Sequence, residues 1–541
     1  MKRLSLVALL ILAVMPYFVG LDDSSIWDAN EAFYTETPRE MIESGDYISP
    51  TFNYQPRLNK PVLSYWIVAG FYRLLGVSLW SERLAIAIGA AILLGATFLA
   101  ARSLWSTDAG LLAAIALASS PRVLMFARRI FIDVYITMFM GLTLVFFLLA
   151  ERYPSHRKFF LFLMYVAAGL GMLTKGPIAV VLPAVIFFLY FLLQWRLRDL
   201  TRVMLPLGMV IVLAIVAPWY VAVYQRHGLE PVTGFFLGEN VSRFTDPVAP
   251  ERGWFFYAPV VFADLFPWSL FLPLGAWMFL RSPRTERRSH ESLLWIWTIA
   301  IVVFFSASKT KQDLYIFPIV TATAAIVGVT LARATDPSVR ESGGIFATTA
   351  AAALVVMAGG ALALYLFSGP GSLYGLGGVY SIAAIALGGG VVTLVAASTG
   401  RRFEALALLA LTVIGLNWMF VLRTLPSFER YKPVPAFTMR ILERASPDAA
   451  VLHYKVAIPS MVFYMRRPYE GFIDADAFIK RFSEASEAYA VLAAEDYAAL
   501  TPRLTGPSCE IDRRPFFDLK LRSLLARAPP PELVLITNRC R

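Results

Sequence analysis

Thirteen apolar runs of membrane length recur along this 541-residue sequence, the first near 4–20 and the last near 403–422. A helix of about 20 apolar residues crosses the hydrocarbon core of a bilayer, so repetition on this scale leaves few folds open. Hydrophobic residues make up 58% of the chain and charged ones 16%, against about a quarter charged in soluble domains. The chain reads as a polytopic α-helical membrane protein.

The start, "MKRLSLVALLILAVMPYFVG", is basic and then apolar, with no small-residue cleavage site after it. It is expected to stay as an anchor with its N-terminus cytoplasmic. The segment "KPVLSYWIVAGFYRLLG", 60–76, is an extra candidate span, and the basic loops decide its place. If it stays outside, Arg102, "ERYPSHRK", "WRLRDLTR", "RSPRTERRSH", "ARATDPSVRES" and "TGRR" all fall on the cytoplasmic side, as the positive-inside bias requires. Arg73, with Trp66 and Tyr72, suits a helix lying in the headgroup plane.

The opposite face then receives residues 21–79, the turn at Asp133, the turn at Lys175, the loop 223–257, "SKTKQD" at 308–313, and everything after about 423. We therefore expect a transmembrane body over 1–424 and an extracytoplasmic α/β domain over 425–541. In the tail, "AAVLHYKVAI", "AYAVLAAE" and "PELVLITN" are strand-like, and "PSMVFYMRR" and "EDYAALTPRL" helix-like. Cys509 and Cys540 lack a C-x-x-C spacing, so a metal role is not expected; in an oxidising compartment they either pair or stand as two thiols. The net charge of +11 belongs to the topology-setting loops, so no nucleic-acid partner is called for.

The stretch "IWDANEAFYTETPREMIESGDYISP", 26–50, lies just outside the first span. Asp28-Ala29-Asn30-Glu31 reads as an N-cap with its reciprocal Glu, and Thr37-Pro38-Arg39-Glu40 as a second capping box, giving two short helices with Gly45 as the stop. The same acids can serve chemistry. Asp133 heads an apolar span, where an ionisable group is costly, though it can also cap that span. Lys175, Lys309 and Lys311 stand at non-cytoplasmic membrane edges, either snorkelling or meeting an anion. A lipid-carried phosphate fits them, and carboxylates beside it fit transfer of its group to a hydroxyl, with an acid accepting the proton.

These residues carry a resemblance. "WDANEAFYTETPREMIESGDYISPTFNYQPRLNKPVLSYW", "RRIFIDVYITMF", "GLGMLTKGPIAVVLP", "APWYVAVY", "GENVSRF", "FYAPVVFADLFPWSLFLP" and "SASKTKQDLYIFPIV" resemble, in order, the family 39/83 glycosyltransferases of the GT-C group. That group includes protein O-mannosyltransferases and the aminoarabinose transferase of lipid A. The resemblance implies a GT-C fold with about thirteen spans and an inverting enzyme in the bacterial inner membrane. Such an enzyme moves a sugar from a polyprenyl (undecaprenyl) phosphate to a lipid, glycan or protein on the periplasmic face, acting as a monomer.

The family's first loop usually reads Asp-Glu-x-Arg-Tyr, with that Asp as base; here the positions are Asn30, Glu31, Ala32, Phe33 and Tyr34. Glu31 is the expected base or acceptor-orienting residue with Asp133 assisting, and Asp28 is the third acid available. Lys60 matches a family Lys near the donor phosphate, and Arg243, Lys309, Lys311 and Lys175 join it as phosphate contacts. Arg243 also reads as a salt bridge to Glu239. Tyr34, Glu239, Asn240 and Tyr315 are the expected substrate contacts. Where the lipid A enzyme has an acid, Asn59 stands here, and "APERGWFF" has no His, so no cofactor is expected and a divalent-metal site has little to build on. Two rivals remain. A transporter or flippase would show paired halves with binding groups near the midplane, and a degenerate transferase would bind the carrier without turnover.

Overall fold

In the computed structural model, residues 2–129, 132–242, 245, 252–283, 285–336, 342–369, 374–518 and 529–540 are described. Among them, nine helices are long and apolar enough to cross a membrane, and two bent helix pairs bring the number to eleven if each pair is one span. Two shorter apolar helices, Arg3–Tyr17 and Ile178–Leu193, complete a one-to-one match to the thirteen runs of the sequence. The bent pairs are Thr107–Ser119 with Pro121–Ala127, turning by 71°, and Trp254–Asp264 with Trp268–Arg281, turning by 106°. Pro121 and Pro267 sit at the two breaks, where a missing N–H and the ring forbid a continuous helix. The chain is a multi-pass membrane protein.

The segment around 60–76 forms the helix Leu63–Leu75. Its 13 residues reach only about 20 Å at 1.5 Å per residue, short of a bilayer core of about 30 Å. Tyr65, Val68 and Tyr72 are buried on one side while Leu74 is exposed. The Trp66 indole N–H donates to the Tyr47 carbonyl at 2.7 Å, tying this helix to the loop before it.

The expectation of two short capped helices in the first loop is corrected. One helix runs from Asn30 to Ser44 with Pro38 inside it, and Gly45, at φ 71°, ends it. Asp28 caps nothing: the N-cap position is Ala29, without a side-chain bond. An internal proline removes one backbone bond. Arg39 offsets this on the helix surface, pairing with Glu36 at 2.5 Å and Glu43 at 2.7 Å, and residues Ala32 through Met41 bury against the body with the exception of Phe33, which is half-buried.

The tail forms a five-stranded sheet from β1 (Ala450–Tyr454), β2 (Glu470–Phe472), β3 (Ala488–Ala493), β4 (Cys509–Pro515) and β5 (Glu532–Thr537), in the order β2-β1-β3-β5-β4. β1 pairs parallel with β2 and β3, and β5 antiparallel with β3 and β4. Both faces are covered. Val451, Val491, Leu533 and Leu535 pack with Phe437 and Ile441 on one side, and Leu452, Leu492, Val534 and Ile536 with Phe478 and Phe482 on the other. Burial of both faces explains why β1, β3 and β5 read as continuous apolar runs. β2 and β4 escaped the sequence reading because they are edges, and β4 carries the charges Glu510, Asp512, Arg513 and Arg514 that edges use against mispairing. Cys509 and Cys540 are joined in a disulfide.

Candidate active site

The first loop is held from below by two arginines. Arg128 donates to the carbonyls of Pro16, Val19 and Gly20, each at 2.6 Å. Arg83 donates to the carbonyls of Leu21 at 2.7 Å, Ser24 at 2.6 Å and Ser25 at 3.1 Å. It also grips Glu31 with two bonds, Nε to Oε1 at 2.8 Å and Nη2 to Oε2 at 3.1 Å. The Trp27 N–H adds a third bond to Glu31 Oε2 at 2.7 Å. Arg83 and Glu31 side chains are 2% and 0% exposed. Glu31 is therefore a buried strut of the loop, with both oxygens taken.

Asp28 lies at the seam with the tail. Its Oδ1 accepts from the Ser460 N–H at 2.8 Å and its Oδ2 from the Ser460 hydroxyl at 2.6 Å. Burial pushes its carboxyl up to about 6, against the lowering effect of the Ser460 bonds. The seam continues through the Ile26 N–H to the Tyr464 hydroxyl at 2.9 Å, and through a reciprocal pair between the Asn53 amide and the Tyr469 backbone at 2.9 and 3.0 Å. Asn30, at the family Asp position, is exposed at the helix start. Tyr34 stacks on Tyr65 with ring centroids 5.4 Å apart. Phe33, at the family Arg position, receives the Arg57 guanidinium 3.7 Å above its ring, so a cation reaches this place from elsewhere in the loop.

Three of the residues singled out in the sequence meet on separate helices. Asp133 is in the first turn of Ile132–Arg152, and Lys175 ends Arg157–Lys175, where Gly176 at φ 98° turns the chain. Their side chains form an ion pair, Lys175 21% exposed and Asp133 7%. The Lys175 ammonium also lies 5.7 Å from the Tyr315 ring centroid. Tyr315 follows Asp313, which with Asp264 brackets Arg122, each contact at 2.8 Å. Lys311 donates to the Ser308 carbonyl at 2.6 Å; Lys309 is exposed, and Lys60 is half-buried in the turn before Leu63–Leu75. Arg243 and the side chains of Glu239 and Asn240 lie outside the described residues.

Between loop, tail and helix ends lies a cavity of about 330 Å³ lined by Trp27, Asp28, Arg129, Lys432, Phe428 and Phe517, among others. Trp27 is sandwiched, with Arg129 4.1 Å and Lys432 3.9 Å from its ring centroid, an arrangement that draws cations by the ring quadrupole. Lys432 donates to the Ser25 carbonyl at 2.7 Å and pairs with Glu429 at 3.1 Å, and burial brings its ammonium down to about 8. Sequence reasoning missed Arg57, Arg83, Arg129 and Lys432. A signal was present for two of them: "RR" at 128–129 and "ERYK" at 429–432 put cations on the face that the sequence analysis expects to be non-cytoplasmic, the criterion that singled out Lys175. Among the described residues, no three His, Cys, Asp or Glu side chains stand close enough together to hold a metal ion.

The chain is similar to known proteins in sequence and in fold. The family described as dolichyl-phosphate-mannose-protein mannosyltransferase matches residues 59–221. A protein of Aquifex aeolicus is 31% identical over 367 residues, 68% of this chain and 70% of that one. Undecaprenyl phosphate-alpha-4-amino-4-deoxy-L-arabinose arabinosyl transferase 1 of Pseudomonas fluorescens (strain Pf0-1) is 32% identical over 343 residues, 62% of this chain. By these matches the chain is similar to membrane glycosyltransferases of the aminoarabinose-transferase type. The alignment spans 59% of the Pseudomonas protein's length. The GT-C fold is seen over the whole chain: the crystal structure of ArnT from Cupriavidus metallidurans bound to undecaprenyl phosphate superposes with a TM-score of 0.79 at 24% identity, covering 98% of this chain and 97% of that one. The Archaeoglobus fulgidus oligosaccharyltransferase follows at a TM-score of 0.51 and 15% identity, covering 87% of this chain and 64% of that one.

Proposed function

We propose that this GT-C protein transfers a sugar from undecaprenyl phosphate to a lipid acceptor at the periplasmic face of the inner membrane, with inversion. The relatives' names supply the donor and an aminoarabinose-type sugar as the first to try. The observation that carries the reading is the meeting of Asp133, Lys175 and Tyr315 at the ends of apolar helices. A lysine at that depth supplies charge to a lipid phosphate, and a carboxylate beside it accepts a proton. The acceptor hydroxyl attacks the anomeric carbon, the bond from that carbon to the phosphate oxygen breaks, and the carrier leaves as undecaprenyl phosphate. The hydroxyl proton passes to Asp133.

The role given to Glu31 from the sequence moves in this reading. A base needs a lone pair directed at substrate, and the Glu31 carboxylate is sealed from solvent with Oε1 bonded to Arg83 and Oε2 to Arg83 and the Trp27 backbone N–H. Glu31 shapes the loop, and Lys60, Arg243, Lys309 and Tyr34 remain the candidates for carrier and sugar contacts. The basic loops support a cytoplasmic N-terminus and a periplasmic tail, and the boundary between body and tail is placed at 424/425.

Release of undecaprenyl phosphate from a panel of undecaprenyl-phosphate sugars, by protein in nanodiscs with membrane lipid as acceptor, tests the assignment. Asp133→Asn is expected to lose about 100-fold or more in turnover. Wild-type turnover in Asp133→Asn would remove Asp133 from the chemistry. Donor binding by the wild type without release, across the panel, would sink the transferase reading.

A further inference from the structure

The arginines that hold the first loop are all paired. Arg39 meets Glu36 and Glu43, Arg83 meets Glu31, and Arg128 meets three backbone carbonyls. Arg57, within the loop, is different: among the described residues its side chain meets no carboxylate and no hydrogen-bond acceptor, and its Nε is buried without a partner. The guanidinium lies over Phe33, 3.7 Å from the ring centroid, with the Phe52 ring at 5.8 Å. A cation–π contact uses the face of a guanidinium and leaves the five N–H donors at its edge to be satisfied. An anchor for the hairpin would therefore explain the stacking but not the unpaired edge.

The backbone that carries Arg57 is fixed. Its N–H donates to the Pro50 carbonyl at 2.8 Å, closing the hairpin of Thr51–Phe52 and Gln55–Pro56, and the Tyr54 N–H in the turn donates to Glu40 at 3.1 Å. A contact held in place beforehand costs less to order on binding. Two neighbours also have hydrogen-bonding capacity left over: the Asn59 side-chain oxygen and the Tyr65 hydroxyl are buried without a partner among the described residues. Burial raises the Tyr65 phenol, and the nearby Arg57 charge opposes the rise.

The surroundings belong to the proposed donor side. Lys60 follows Arg57 by three residues, and the helix Leu63–Leu75 that begins just after it packs against Arg157–Lys175, the helix that ends in Lys175. Asn30 precedes Phe33 by one helical turn, exposed on the same face. Asn30 and Phe33 are the two positions at which the resembled family has an acid and an arginine. The helix here has lost both charges, and a cation comes back to the same place from the hairpin.

We infer that Arg57 is a contact for the phosphate of the polyprenyl-phosphate donor, a cation supplied by the hairpin where the helix carries Phe33. The inference rests on the transferase reading for the word donor. Phe33 holds the face of the guanidinium, and its outer edge is the fork that phosphate oxygens take.

Equilibrium binding to the full chain in nanodiscs tests this without any turnover, using undecaprenyl phosphate and, as a probe without the charge, undecaprenol. Arg57→Gln is expected to weaken undecaprenyl phosphate binding about tenfold or more and to leave undecaprenol binding unchanged. Arg57→Lys, which keeps the charge and loses the fork, should fall between Arg57→Gln and wild type. Wild-type affinity for the phosphate in Arg57→Gln overturns the proposal. An equal loss of both probes also overturns it, because a merely structural arginine would not separate them. Arg57→Lys binding no better than Arg57→Gln overturns the charge assignment. Arg57→Met keeps the apolar stem on Phe33 and repeats the test should Arg57→Gln fail to fold. Because binding is read apart from sugar release, a protein that discriminates the probes through Arg57 yet turns over no sugar would count against the transferase reading and leave the phosphate contact in place.

Discussion

Two carboxylate–cation pairs at the outer end of this protein have the same chemistry and opposite surroundings. Glu31–Arg83 is sealed, 0% and 2% exposed, and the guanidinium also donates to the loop carbonyls of Leu21, Ser24 and Ser25. Asp133–Lys175 is one ion pair at the tip of two helices, with its lysine 21% exposed and an aromatic ring beside it. The contrast teaches that an acid next to a family motif is not by that fact an active one. What separates a strut from a reagent is how many of its lone pairs remain for substrate.

The largest expected effect falls on the sealed pair. Leaving one buried charge without its partner costs about 3–5 kcal/mol, so Glu31→Ala and Arg83→Leu should each lower the unfolding temperature of the detergent-solubilised protein and reduce the folded yield. Replacing both with Glu31→Leu/Arg83→Leu should recover part of that loss, and failure to recover any would mean that Arg83 acts through the loop carbonyls alone. Asp133→Asn comes next, at about 100-fold in turnover, or roughly 2.7 kcal/mol. Its melting temperature should stay within a few degrees of wild type; a collapse like that of Arg83→Leu would erase the distinction between the pairs.

Of comparable size at most is a pH effect at Asp28. Its carboxyl is raised to about 6 by burial, with Glu31 adding to the rise and Ser460 and Lys432 opposing it. The folded protein therefore binds more protons there than the unfolded chain between about pH 4 and 6, and stability falls as pH rises through that window. The full shift corresponds to at most about 3 kcal/mol. Melting temperatures from pH 4 to 7 should show the slope, and Asp28→Asn should reduce it, with Glu40, raised to about 7 by burial, carrying a further part. The smallest effect expected is that of Asn53→Ala, about 1–2 kcal/mol from its two bonds to the Tyr469 backbone, read as faster proteolysis at the seam with turnover kept.

Hydropathy made the body legible because bilayer length is a local property, and each of the thirteen runs became a helix or bent pair. β1, β3 and β5 were legible for the same reason, as apolar runs buried on both faces. The Asp133–Lys175 pair was legible in part because each anomaly was local: Asp133 is an acid in an apolar span, and Lys175 a cation at the end of one. It was illegible where meaning came from a distant partner. Glu31 looked available because Arg83 is 52 residues away, and Asp28 looked like a helix cap because Ser460 is 432 residues away. The capping pattern around Thr37 is sound local chemistry, overruled by burial of Tyr34 through Met41 in one continuous helix.

That separation of 432 residues between Asp28 and Ser460 has a consequence in time. At about 5–20 residues per second of synthesis, the first loop waits roughly 20 to 90 s for its partner to leave the ribosome. Arg83 emerges within seconds of Glu31, so the strut can close early, while the wall formed by Phe428, Lys432 and Phe517 cannot exist until most of the chain is made. A nascent chain cut short before that wall would be inserted and anchored yet lack its finished chamber, which makes completion of the site wait for synthesis to pass Phe517.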